Sequence, residues 1–417
     1  MNVFIERDGE LHAEGIPVSA LAEEYGTPLY IYSRGHLLSQ YRALAQALAP
    51  LSPTLCFAIK SNSCGAVIAT LGQAGAGADV VSGGELFRAR RAGIPADRIV
   101  FAGVGKTIDE IDSALQAGIR FFTVESEAEL KRISDRATHT ACVGRVALRV
   151  NPDVDPQTHK YTSTGKKENK FGVDLERAER AMDWAASLPS IEISGLHMHL
   201  GSPIADVAPF AEALEKVAPL CRKLAARFPS FQTLDIGGGL GIPYRPGEAE
   251  FNLDRFASVL IPPLKALGLR IVLEPGRFLT GNAGILVKQI QYVKKSGSKV
   301  FLIGDAGMND LIRPPLYQAW HTIQAVRPTS QTVQGDLVGP ICESGDFLAQ
   351  DRELPDAQPG DYLAVMSAGA YGMAMASNYN SRGRAAEVLI DGTRHTLVRE
   401  RETMEDLVRG ERIPDWV

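Results

Sequence analysis

At 417 residues the chain exceeds one ordinary core, so about two domains are expected. Hydrophobic residues make up 45% and charged residues 22%, which excludes a disordered or fibrous chain. A net charge of −5 with no long basic run gives no nucleic-acid footprint, and no apolar stretch approaches the roughly 20 residues of a membrane helix.

The opening "MNVFIERDGELHAEG" places Glu6, Arg7 and Asp8 where a signal peptide needs its apolar core, and "VFIERDGELHA" reads as a hairpin. Five cysteines, Cys56, Cys64, Cys142, Cys221 and Cys342, are scattered without close pairs. That usage fits reduced thiols, a cytoplasmic location and no metal cluster.

Short apolar runs then alternate with helix-period segments. They are 54–60, 78–81, 98–102, 120–124, 145–150, 193–198, 233–236 and 269–274. Segments such as Gly84 to Ala92 and Ile108 to Ala117 carry helical periodicity, with Gly93 and Gly118 as C-terminal caps. Eight such repeats predict an α/β architecture, a (β/α)8 or TIM barrel over 34–280, with a doubly wound open sheet as the rival.

A barrel collects its active site at the carboxyl ends of its strands, and those positions are chemically loaded here. Lys60 follows strand one, Asp79 starts strand two with Glu85 beyond it, and Arg149 closes strand five. His197 and His199 end strand six, facing the same way; Gly237 to Gly239 follow strand seven; Glu274 and Arg277 follow strand eight. Lys60 has two readings: its stem carries the charge out to water, or it is a desolvated amine kept for Schiff-base chemistry. "DIGGGLG" and "EPGR" suit a phosphate cradle, because consecutive glycines admit backbone N–H groups to an anion and Arg277 adds charge. The two histidines suggest a metal only weakly, because no third ligand accompanies them at a suggestive spacing.

From Gly284 onward β-branched alternating runs are separated by turns such as Asp391-Gly392. Residues 1–33 and 281–417 are therefore expected to build one all-β domain, a sandwich or barrel-like unit made from both chain ends. Within it Cys342 lies among Gly339, Pro340, Glu343, Ser344, Gly345 and Asp346, an exposed loop by composition. A thiol there reads either as a small buried hydrophobe or as a proton donor, and Tyr371 as a packed ring or a phenol aimed at a ligand. The polar stretch Asn151 to Gly172 reads as a lid.

Ordered motifs along nearly the whole chain resemble the fold type III pyridoxal phosphate decarboxylases: "FAIKSN", "DVVSGGEL", "HMHLGS", "DIGGGLG", "EPGR", "MNDLIRPPLYQAWH", "LVGPICESGDFLA" and "GAYGMAMASNYNSRGR". The resemblance implies pyridoxal 5'-phosphate joined to Lys60, with His199 stacked on its ring and Glu274 at its pyridine nitrogen. Asp79, Arg149, Ser202, Gly238, Gly239, Gly276, Arg277 and Tyr371 would complete the cofactor site. Arg277, Arg313, Tyr317, Glu343 and Tyr371 would contact a small amino-acid substrate, and Cys342 would protonate the product carbanion.

The resemblance further implies a homodimer in which Cys342 and Glu343 reach the neighbouring subunit's site. Arg313 and Glu343 suit a second amino-acid head, so meso-diaminopimelate is the expected substrate and lysine the product, with another basic amino acid or a related carboxylated diamine, of the ornithine, arginine or lysine type, as the alternative. "HLGSP" departs from the family pattern, since Pro203 lacks a backbone donor. Two rival classes remain at this point: a Schiff-base aldolase, and a regulatory relative without catalysis.

Overall fold

The computed structural model describes residues 3–155 and 170–417, so the expected lid lies largely outside the described residues. Two compact units emerge: Leu38–Pro243 with Ala249–Leu279, and Met1–Leu37 with Tyr244–Glu248 and Thr280–Val417.

The first unit is a closed barrel of eight parallel strands: Thr54–Ala58, Gly77–Val80, Ile99–Phe101, Phe121–Val124, Gly144–Asn151, Ile191–His197, Thr233–Asp235 and Arg270–Leu273. Val272 opposite Thr54 and Leu273 opposite Leu55 close the ring. These strands read as unbroken apolar runs because helices cover the outside while side chains fill the interior, where Cys56, Val100, Phe121, Ala147 and Val272 cluster. The helix Ile108–Ala117 starts at a capping box between Thr107 and Glu110 and stops at Gly118, whose φ of 69° suits glycine. Asp79 is the third residue of its strand rather than the first.

In the second unit a nine-stranded sheet carries most of the late alternating segments. The opening hairpin pairs Phe4–Arg7 with Glu10–Ala13, and the Asp391-Gly392 turn joins Ala386–Asp391 to Arg394–Arg399. Leu29–Ser33 runs through the middle of the large sheet, antiparallel to Gly284–Val287 and parallel to Ala386–Ile390. All five of its residues are buried, which hides it from an alternation test. Tyr244–Glu248, sequence neighbours of the seventh barrel strand, belong to this unit.

Gly195 marks a register shift in the sixth barrel strand, where an added Cβ would stand 2.0 Å from the Thr233 carbonyl oxygen. Gly195→Ala must push two paired strands apart and is expected to destabilise the chain by about 1–3 kcal/mol. A urea midpoint equal to that of the unsubstituted chain, at equal slope, would refute this.

Candidate active site

Lys60 sits in a 3-10 turn, Ile59–Ser61, just past the first barrel strand. Its Nζ donates to Asp79 Oδ2 at 2.8 Å, and Asp79 is fully buried on the neighbouring strand. The ammonium therefore turns toward a buried carboxylate, although its side chain stays 36% exposed. Burial pushes the Asp79 carboxyl up, and the negative charge of Glu274 adds to it while Lys60 opposes both.

Glu274 follows the eighth strand, anchored by its own N–H to the Gly237 carbonyl. Its Oε2 lies 3.2 Å from His197 Nε2, and both residues are buried. Burial would raise this carboxyl, yet the His197 hydrogen bond and charge, with the Lys60 charge, outweigh burial and hold it below the ordinary carboxylate range. Asp235, at the end of the seventh strand, accepts from the Gly237 N–H at 2.8 Å. Burial and the Glu274 charge push Asp235 well up, in the direction opposite to Glu274.

Two expectations are corrected here. His199 is not on the sixth strand but two residues beyond its end at His197. There its Nδ1 accepts from the Gly238 N–H at 3.2 Å, while burial and the Arg149 and Lys60 charges keep the imidazole neutral. His197 also does not lack ligand-type company. Ligand-type atoms of His197, Asp235 and Glu274 lie within 4.8 Å of one another, a grouping invisible to spacing because three separate strands supply it.

Arg149 Nη1 meets Glu125 Oε1 at 3.1 Å, and the guanidinium stacks 4.6 Å from the Phe171 ring centre. Glu125 also accepts from the Gly172 N–H, and its own N–H donates to Glu129, which holds the buried Lys106 at 2.6 Å. Glu125 was missed, although it directly follows the fourth strand and the rule that found Arg149 could have found it. Arg277 Nε donates to Ser202 Oγ at 3.2 Å.

The residues fit a pyridoxal phosphate. Glu274 Oε1, Asp79 Oδ1, and Arg149 Nε and Nη2 are buried with no protein partner among the described residues. The backbone at Gly238 and Gly239 is closely approached: an added Cβ would stand 2.1 Å from the Glu274 oxygen and 2.3 Å from the Gly201 oxygen. At Gly276 it would meet Ala58 and Ser61 at 3.1 Å.

The β-rich unit carries the other expected residues. Cys342 is exposed, as its loop composition suggests, and its N–H donates to Asn380 Oδ1 at 2.7 Å. Asp346 gathers that loop by accepting from the Met308 and Ile341 N–H groups at 2.7 and 2.6 Å. Tyr371 is held at a φ of 56°, a left-handed conformation unusual for a side-chain-bearing residue. Arg313 is buried against His321 at 2.8 Å, and Tyr317 closes the short helix Arg313–Tyr317. Among the described residues no helix is long and apolar enough to cross a membrane.

A lysine-bearing barrel with an ionised carboxylate among glycine-lined loops defines a pyridoxal-phosphate enzyme. Residues 34–281 match the pyridoxal binding domain of the pyridoxal-dependent decarboxylases. The chain is 48% identical over 409 residues to the diaminopimelate decarboxylase of Aquifex aeolicus, covering 98% of this chain and 97% of that one. Against the diaminopimelate decarboxylase of Pseudomonas aeruginosa it is 49% identical over 412 residues, covering 99% of each. The crystal structure of the diaminopimelate decarboxylase from M. jannaschii in complex with L-lysine superposes with a TM-score of 0.94 at 36% identity, covering 99% of this chain and 98% of that one. The chain belongs to the pyridoxal-dependent amino-acid decarboxylases of fold type III, within the diaminopimelate decarboxylase family.

Glu85 offers a pH test of the barrel mouth. Burial raises its carboxyl from 4.5 to about 7, against the Val81 N–H that it accepts. A folded pKa above the unfolded one means that the folded state holds a proton which the unfolded state releases. The Glu85 contribution therefore falls as pH rises from about 4.5 to about 7 and is constant above that. Glu85→Gln should gain stability relative to the unsubstituted chain across this window in denaturant titrations; a pH-independent difference would refute it.

Proposed function

We propose that this chain decarboxylates meso-2,6-diaminopimelate to L-lysine and CO2 with pyridoxal 5'-phosphate, the last step of a lysine-forming sequence. The observation that carries the reading is Glu274, buried, held ionised and locked to His197 at the same barrel mouth as Lys60 and its partner Asp79. The names of relatives at 48% and 49% identity support the substrate.

The cofactor supplies an electron sink for cleavage of the bond to the departing carboxylate. Lys60 would hold the cofactor through its aldehyde, in reach of Asp79, where the amine chemistry takes place. Glu274 would face the pyridine nitrogen and favour its protonated form, and neutral His199 would pack on the ring. Arg149 and Asp79, each with a buried side-chain atom lacking a hydrogen-bond partner among the described residues, would help hold the cofactor. Ser202, Gly238, Gly239, Gly276, Arg277 and Tyr371 would hold its phosphate region. Arg277, Arg313, Tyr317, Glu343 and Tyr371 bind the substrate, with Arg313 taking the distal carboxylate and Glu343 the distal ammonium.

After CO2 leaves, the Cys342 thiol gives its proton to the α-carbon. Exposure of both Cys342 and Glu343 on this chain supports a homodimer in which they serve the neighbouring subunit's site. Five free cysteines support a reducing, cytoplasmic setting.

Labelled CO2 release should be much faster from meso-diaminopimelate than from lysine, ornithine or arginine; faster release from ornithine or arginine would overturn the substrate assignment. Borohydride reduction of the loaded protein should leave its mass adduct on Lys60. Cys342→Ala should lower kcat by about 10²–10⁴-fold. Mixed with inactive Lys60→Ala subunits it should regain activity, and mixtures no better than either parent would exclude shared sites.

A further inference from the structure

Arg313 is 6% exposed, and its guanidinium lies 4.6 Å over the Tyr244 ring while Nη1 meets His321 Nε2 at 2.8 Å. His321 is fully buried, and its other nitrogen, Nδ1, lies 2.8 Å from the Met366 carbonyl oxygen. A carbonyl only accepts, so Nδ1 carries the hydrogen. A guanidinium only donates and keeps its charge, so Nε2 presents a lone pair. The hydrogen-bond network thereby assigns one neutral tautomer. His321 thus gives Arg313 an acceptor without adding a negative charge of its own.

The imidazole is itself held. Tyr244 meets it edge-on, with centroids 5.4 Å apart at 83°. Thr322 Oγ1 donates to the Tyr244 carbonyl at 3.0 Å, and Arg352 Nη1 donates to the His321 carbonyl at 2.7 Å. Arg352 in turn lies 3.3 Å over the Trp320 ring. The segment 320–322 is therefore fixed from both sides, and the direction of the Arg313 fork is fixed with it.

We propose that His321 and Tyr244 are positioning residues: they form a seat that aims the Arg313 guanidinium at the substrate's distal carboxylate and so set the preference for a two-headed amino acid. The inference rests on the assignment of Arg313 made above. A Lys or a loosely held Arg would offer the same charge. The seat adds direction, on which a two-pronged contact with a carboxylate depends.

L-lysine keeps the distal carboxylate and cadaverine lacks it, so their inhibition constants on the loaded dimer isolate this recognition from bond cleavage. The unsubstituted enzyme should bind lysine more tightly than cadaverine. His321→Leu should shrink that preference by about tenfold, as a misdirected charge-assisted hydrogen bond implies, with the cadaverine constant unchanged. For meso-diaminopimelate the KM should rise by a similar factor, with a much smaller loss in kcat. His321→Gln, whose amide oxygen can accept from Nη1, should retain most of the preference. If His321→Leu does not fold, Tyr244→Leu carries the same comparison.

A folded His321→Leu with an unchanged preference, alongside Arg313→Ala that loses it, would overturn the seat while leaving Arg313 in place. A preference that survives Arg313→Ala would overturn both the carboxylate assignment and the seat.

Discussion

Three carboxylates, Asp79, Asp235 and Glu274, are buried at one barrel mouth, and their mutual repulsion in a dry setting is the constraint that arranges everything near them. Three full negative charges so close would cost too much. The barrel divides the roles instead. Lys60 faces Asp79, His197 secures Glu274 as the anion, and Asp235 is pushed toward its neutral form while accepting a backbone N–H. The resulting fixed negative charge at a glycine-lined mouth suits the protonated pyridine ring proposed to face Glu274, in keeping with the family's cofactor.

The β-rich unit solves a similar difficulty with a cation. Lys288 is fully buried, and burial pulls its ammonium down to about 8. Its Nζ donates to the Ala306 and Val338 carbonyls at 2.8 and 2.9 Å, one on each side of the stretch that Asp346 also ties together. The exposed Cys342 loop therefore rises from a hydrogen-bonded base rather than from a free coil. The proposed reach toward a partner subunit is compatible with a fixed thiol position for that reason.

The barrel was legible in the sequence because parallel strands buried on both faces leave unbroken apolar runs, and because Gly93 and Gly118 punctuate the helices. Lys60, Arg149, Glu274 and Arg277 were legible because the strand-end rule needs only strand order. The partnership of His197, Asp235 and Glu274 was not, since it depends on which strands lie side by side. Leu29–Ser33 escaped because it is a single short run outside the repeating strand-helix series, with no alternation to mark it, and Tyr244–Glu248 because a five-residue excursion carries no composition signal. Arg313 was recognisable by resemblance, whereas its seat on His321 and Tyr244 exists only once the chain has folded back on itself.

The central position of Leu29–Ser33 in the large sheet has a consequence for biosynthesis. This strand is made early, yet both of its sheet neighbours, Gly284–Val287 and Ala386–Ile390, emerge from the ribosome only after the whole barrel has been translated. At about 5–20 residues per second, an apolar segment with two unpaired backbone edges waits about 13–50 s for its first partner and about 18–70 s for its second. Completion of the large sheet must therefore wait for the C-terminal part of the chain, long after its central strand is made.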